Sequence, residues 1–132
     1  MVDSELTDLD RRVLAVIERR FPVSASPYCD LGEELGERES DVLNSTIELR
    51  GTGAVTAISA LFAPEVHPDR LDPELEALAA AVAFDLPWSE HPYAEVAAQL
   101  SLQGIDRDET WVVAQLQAWL ADGAIVRVAA RS

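Results

Sequence analysis

A chain of 132 residues, 48% of them hydrophobic, has room for one ordinary domain or two small ones and is too apolar for a disordered segment. Its 24 acidic residues face ten cations, all arginine, for a net charge of −14. A field of that sign repels phosphate and disfavours a nucleic-acid partner at ordinary salt, although a GC-rich genome or a saline cytoplasm would also produce such a composition.

The single cysteine, Cys29, excludes an intrachain disulfide and fits a reducing compartment. No run approaches the ~18 apolar residues of a membrane span, and the N-terminal stretch has no signal-peptide pattern. The expectation is a cytoplasmic protein without a membrane partner.

Thr7 is placed to cap a first helix, with Asp10 three residues on to complete a capping box. Leu9, Val13, Val16 and Ile17 follow at helical spacing, and Arg19 and Arg20 suit the dipole at its end. Phe21-Pro22 stops it, because the residue before a proline avoids helical geometry. A short second helix starts at Pro27, with Ser26 as N-cap and Tyr28, Leu31 and Leu35 on one face. Gly36 ends it. A third helix covers about 39–50, with Val42, Thr46 and Leu49 inward and Gly51 or Gly53 as its stop. AVTAISALF, residues 54–62, alternates and is rich in β-branched side chains, as a strand or hairpin arm would be. Residues 63–73 are polar and hold three prolines, which marks a linker.

The pattern then restarts. FPVSASPYCDLGEEL (Phe21–Leu35) and LPWSEHPYAEVAAQL (Leu86–Leu100) align without a gap, pairing Pro22 with Pro87, Ser24 with Ser89, Pro27 with Pro92 and Tyr28 with Tyr93. A helix over 73–84 precedes the second copy. After an insertion in Ser101–Arg107, a helix over 108–121 sets Val112, Leu116 and Trp119 against Val42, Thr46 and Leu49. Gly123 then matches Gly53, and AIVRVAA forms the last strand. Three helices followed by a β-wing make a winged helix-turn-helix. The expected fold is mainly α (α+β), with two tandem winged helix-turn-helix domains over 1–62 and 74–132, each of three helices and a short wing. Units this small bury little surface alone and gain by packing on each other.

The segment running from LTDLDRRVLAVIERRFPVSASPYCDLGEELG through VLNSTIELRGTGAVTAISALF resembles the N-terminal winged helix of the Lrp/AsnC regulators. It is most similar to the variant in siroheme decarboxylase subunits of haem d1 and alternative haem biosynthesis, where an FP or LP element precedes a P(F/Y)xxLGxxLG helix. The second half resembles the same domain. In that family an α/β ligand-binding domain carrying the tetrapyrrole site follows each winged helix. Here only the linker follows the first repeat, so no catalytic residue carries over, and tetrapyrrole binding by this chain alone is not expected.

Groove reading would use the start of each third helix and nearby cations. The candidate DNA-contacting residues are Arg38, Asn44, Ser45, Arg50, Arg107, Gln115 and Arg127. They stand among Glu39, Asp41, Glu48, Asp108 and Glu109, which face phosphate unfavourably. His67, His91 and Cys29 have no metal-ligand spacing, and neither a metal nor a cofactor is expected. Trp88, Trp111 and Tyr93 are the candidate protein-interface residues. For Trp88 and Trp111 two readings stand open, an external interface and the seam between repeats. The first functional reading is a non-enzymatic binding or assembly module that contacts protein or itself. The alternatives are an Lrp/AsnC-type DNA-binding regulator and an accessory subunit of a siroheme decarboxylase-like enzyme.

Overall fold

The computed structural model describes residues 7–66 and 71–131. The first repeat forms α1 (Asp8–Arg19), α2 (Pro27–Leu35), α3 (Glu39–Gly51) and β1 (Ala57–Phe62). The second forms α4 (Pro73–Phe84), α5 (Pro92–Leu102), α6 (Glu109–Asp122) and β2 (Ile125–Arg131). The protein is mainly helical, with the two strands as its sheet among the described residues.

The capping box forms as its spacing requires. Asp10 N donates to Thr7 Oγ1 at 3.0 Å, and Thr7 N donates to Asp10 Oδ2 at 3.3 Å. Ser26 makes no side-chain capping bond. Instead Ser24 Oγ donates to Asp30, and its counterpart Ser89 Oγ donates to Glu95, so the repeated serine ties the loop to the first turn of the helix. Two glycines, one in α2 and one just after it, have distinct tasks. A Cβ on Gly32 would lie 2.6 Å from Glu37 O, so only glycine lets the turn into α3 approach. Gly36 takes φ 71° to end the helix, in the left-handed region that costs glycine little.

The two repeats are interlocked. β1 and β2 do not form separate wings; they pair with each other, antiparallel, with Ile58 opposite Ala130, Ser59 opposite Ala129 and Ala60 opposite Val128. The repeat alignment equates Ile58 with Val128 and Ser59 with Ala129, so a pseudo-two-fold axis passes through the Ser59–Ala129 pair. The flanking helices obey the same symmetry. α1 packs on β2 and α4 packs on β1. Phe21 N donates to Val128 O at 2.6 Å, and Leu86 N, its counterpart, donates to Ile58 O at 2.8 Å.

One apolar core draws on both repeats, with Val13, Ile17, Tyr28 and Leu49 from the first and Leu78, Tyr93, Leu116 and Ile125 from the second. Phe62 meets Trp119 edge-on across the seam, with ring centroids 5.7 Å apart. Ser59 Oγ is buried on the pseudo-axis with no hydrogen-bond partner among the described residues; Ala129 opposite it has no hydroxyl to offer.

Candidate functional site: the third helices and the seam

α3 and α6 occupy the recognition-helix position of each repeat, and the structure draws several of the polar side chains on and beside them into the chain's own contacts. Ser45 is buried, and its hydroxyl donates to Asp10 Oδ1 at 2.6 Å. Arg50 pairs with Asp85 at 3.2 Å and lies 4.6 Å over the Trp88 ring. Arg107 pairs with Glu74 at 2.8 Å and lies 5.2 Å over the Trp111 ring. Exposed ion pairs contribute only about 0–1 kcal/mol each, but stacking on an indole adds to them and fixes where the guanidinium points. Arg38 and Asn44 are exposed, and Gln115 is half-buried. Arg127 is exposed on β2, the strand that follows α6.

The residues expected at an interface lie at different depths. Tyr93 is completely buried, and its hydroxyl donates to Pro22 O at 2.8 Å. It is an interface residue of the internal seam, because its ring lies in the shared core and its hydroxyl reaches the backbone of the first repeat. Burial pushes the phenols of Tyr28 and Tyr93 well above their usual range. The Asp85 charge adds to the effect at Tyr28, and Tyr28 adds to it at Tyr93.

Trp88 is half-buried, and its indole N–H donates to Asp85 Oδ1 at 2.9 Å. Because its arginine comes from the other repeat, Trp88 belongs to the seam. Trp111 is also half-buried, under an arginine of its own repeat.

His91 is exposed, and its Nδ1 lies 3.0 Å from Ala25 O. That bond, with Glu109, Glu39 and Glu90 facing the ring, raises its pKa against slight desolvation. Cys29 is half-buried; desolvation and then Glu33, Glu39 and Asp30 raise its thiol pKa, which disfavours the nucleophilic thiolate. Among the described residues no group of three His, Cys, Asp or Glu is placed to hold a metal. His67 lies outside the described residues. No helix among them is long and apolar enough to cross a membrane.

Sequence reasoning missed Asp85. One oxygen of its carboxylate accepts from the Ile58 backbone N–H at 3.2 Å as well as from Trp88, and the carboxylate also holds Arg50. The repeat alignment sets Asp85 against Arg20, and that reversal of charge was the available signal.

The fold is a pair of winged helix-turn-helix domains locked by a shared sheet. Residues 10–55 match the sequence model of the siroheme decarboxylase NirDL-like HTH domain, so the chain is siroheme decarboxylase-like in its first winged helix. Among curated relatives it is 32% identical over 59 residues, 45% of this chain, to the siroheme decarboxylase alpha subunit of Desulfovibrio desulfuricans. It is 32% identical over 54 residues, 41% of this chain, to the beta subunit from Oleidesulfovibrio alaskensis. The match spans 34% of each relative's length, about a third.

The fold is similar to the crystal structure of the siroheme decarboxylase NirDL. The TM-score is 0.78 at 14% identity, covering 94% of this chain and 65% of that one. The same protein in complex with an iron-uroporphyrin III analogue gives 0.79 at 15% identity, covering 94% and 66%.

Proposed function

We propose that this chain is a non-catalytic accessory subunit of a siroheme decarboxylase-like assembly in the cytoplasm, a protein-contacting module whose partner supplies the tetrapyrrole site. The observation that carries this reading is the similarity of residues 10–55 to the HTH domain of such enzymes, together with the alpha- and beta-subunit relatives.

The seam supports a contact role. Phe84 is 79% exposed and Ile47 is 46% exposed. Ile47 lies one turn before Arg50 on α3, and Phe84 directly precedes Asp85 in the chain. Exposed apolar side chains close in sequence to a polar anchor suit a protein interface. Groove reading is disfavoured because Arg50 and Arg107 are held by carboxylates and indoles, while Glu39, Asp41 and Glu48 share α3.

Co-expression of the tagged chain with the decarboxylase-type subunits of its own genome tests the proposal. Co-elution in gel filtration is expected, with loss of the complex on Phe84→Ser. In parallel, fluorescence anisotropy of sheared genomic DNA should stay flat at low and high salt. Failure to co-elute, together with a salt-sensitive rise in anisotropy, would replace the proposal with a DNA-binding regulator.

A further inference from the structure

The pseudo-two-fold axis makes α1 and α4 equivalent, so each helix is a control for the other. The outer face of α1 carries Arg11, Glu18 and Arg19, all exposed, as a solvent face should. The matching positions of α4 are Glu76, Ala83 and Phe84, and α4 has no charge from Ala77 to its end. Phe84 is 79% exposed, at a position where the fold accepts an arginine in the other repeat. On a chain of net charge −14, an uncharged helix surface is where a second copy meets least repulsion.

Beside Phe84 lies an apolar slot of about 260 Å³, lined by Phe62, Val66, Ala79, Ala80 and Ala83, with Glu76 as its charged residue. Ala80 stands one helical turn before Phe84, so the phenylalanine leaves the helix next to the slot wall. A cavity of ~150 Å³ already holds a benzene ring, so the slot has room for a phenyl group. Phe84 is too exposed to be filling the slot of its own chain. A second copy can fill it. Two α4 helices set antiparallel about Ala80 place Phe84 of each, about 6 Å along the helix, opposite Glu76 of the other. Each knob then meets the other copy's slot, and the small alanines let the helix axes approach closely. Such a contact is isologous, so it closes at two copies.

We propose that the chain forms a closed two-fold dimer in which Phe84 of each copy sits in the apolar slot beside α4 of the other. The dimer is a state of the chain alone, and a partner subunit that takes Phe84 replaces it. A pair of 12-residue helices, each about 18 Å long, buries an area at the weak end of specific interfaces, so the dimer dissociates on dilution. Glu76 is the charge that opposes the contact. Sedimentation equilibrium of the full chain from about 1 μM to 1 mM is the test. A reversible rise in mass is expected, from one chain to two and no further. Phe84→Ser and Ala80→Glu should each weaken the dimer at least tenfold, and Glu76→Gln should strengthen it. Leu102→Ser removes a 90% exposed leucine from the end of α5 and should change nothing. All four side chains are exposed, so circular dichroism should show the variants folded. A monomer at every concentration, masses beyond two chains, a dimer indifferent to Phe84→Ser or Ala80→Glu, weakening by Glu76→Gln, or an equal response to Leu102→Ser would each overturn the proposal. Co-elution with decarboxylase-type subunits is read separately, so either reading can fail without the other.

Discussion

Leu31→Ala asks whether the two repeats share one stability. Leu31 is buried on α2, which packs on α3 within the first repeat, while Trp88, Trp111 and Trp119 all lie in the second. Removing a buried leucine to its Cβ costs about 2–5 kcal/mol, because the site loses both transfer energy and packing. With a urea dependence of about 2 kcal/mol per molar, a loss of about 3 kcal/mol moves the midpoint down by roughly 1.5 M. Tryptophan fluorescence then reports the second repeat and, through Trp88 and Trp119, the seam, and far-ultraviolet circular dichroism reports both repeats. The exchanged strands and common core require the two transitions to coincide and to shift together. A tryptophan transition that stays at the wild-type midpoint while the dichroism splits into two phases would refute the interlocked core.

Tyr93→Phe keeps the ring and removes the bond to Pro22 O, leaving that carbonyl short of a donor at the seam. The expected loss is about 1–2 kcal/mol, read as a lower melting temperature in calorimetry. An unchanged melt would mean that the hydroxyl bond contributes nothing to the seam. His91 predicts a pH dependence of definite sign. Its folded pKa is raised, first by the bond to Ala25 O and then by Glu109, Glu39 and Glu90. The imidazolium therefore adds stability that is fully present below the unfolded pKa and is lost as pH rises through the folded one. Urea midpoints for wild type and His91→Gln should differ more at pH 5.5 than at pH 8, and a constant difference would remove His91 from the account.

The helices were legible because apolar period and end signals agreed. Val13 and Ile17 share one stripe, as do Val42, Thr46 and Leu49, and Thr7 with Asp10 makes the capping box. The pairing of the strands was not legible. AISALF states a strand but not its partner, and a wing closed within one repeat has the same local pattern as a strand that crosses to the other. The repeat held the missing information, since equal strands on a two-fold can satisfy each other. Ser45 was misplaced by its polarity, although its phase in α3, three residues past Val42 and four before Leu49, lies on the buried stripe. Arg19 and Arg20 suit a helix end by charge, and only the tertiary structure sets Arg127 beside them. The Arg50–Trp88 stack joins residues from different repeats, which no local spacing records.

The symmetry that sets Val23, Leu120 and Arg20 against Trp88, Arg50 and Asp85 gives the molecule two equivalent grooves, and their divergence is physically a set of coupled exchanges rather than single drifts. An arginine side chain has donors and no acceptor, so Arg20 cannot do for β2 what Asp85 does for the Ile58 N–H and the Trp88 indole. Without that acceptor an indole at position 23 would bury an unsatisfied N–H, and without a cation at position 120 its face would lose the stack that Arg50 supplies. Valine and leucine remove both demands at once, and the space they leave is bordered by the arginine that replaced the aspartate. A symmetric backbone thus carries one groove closed by its own side chains and one left open with a positive rim.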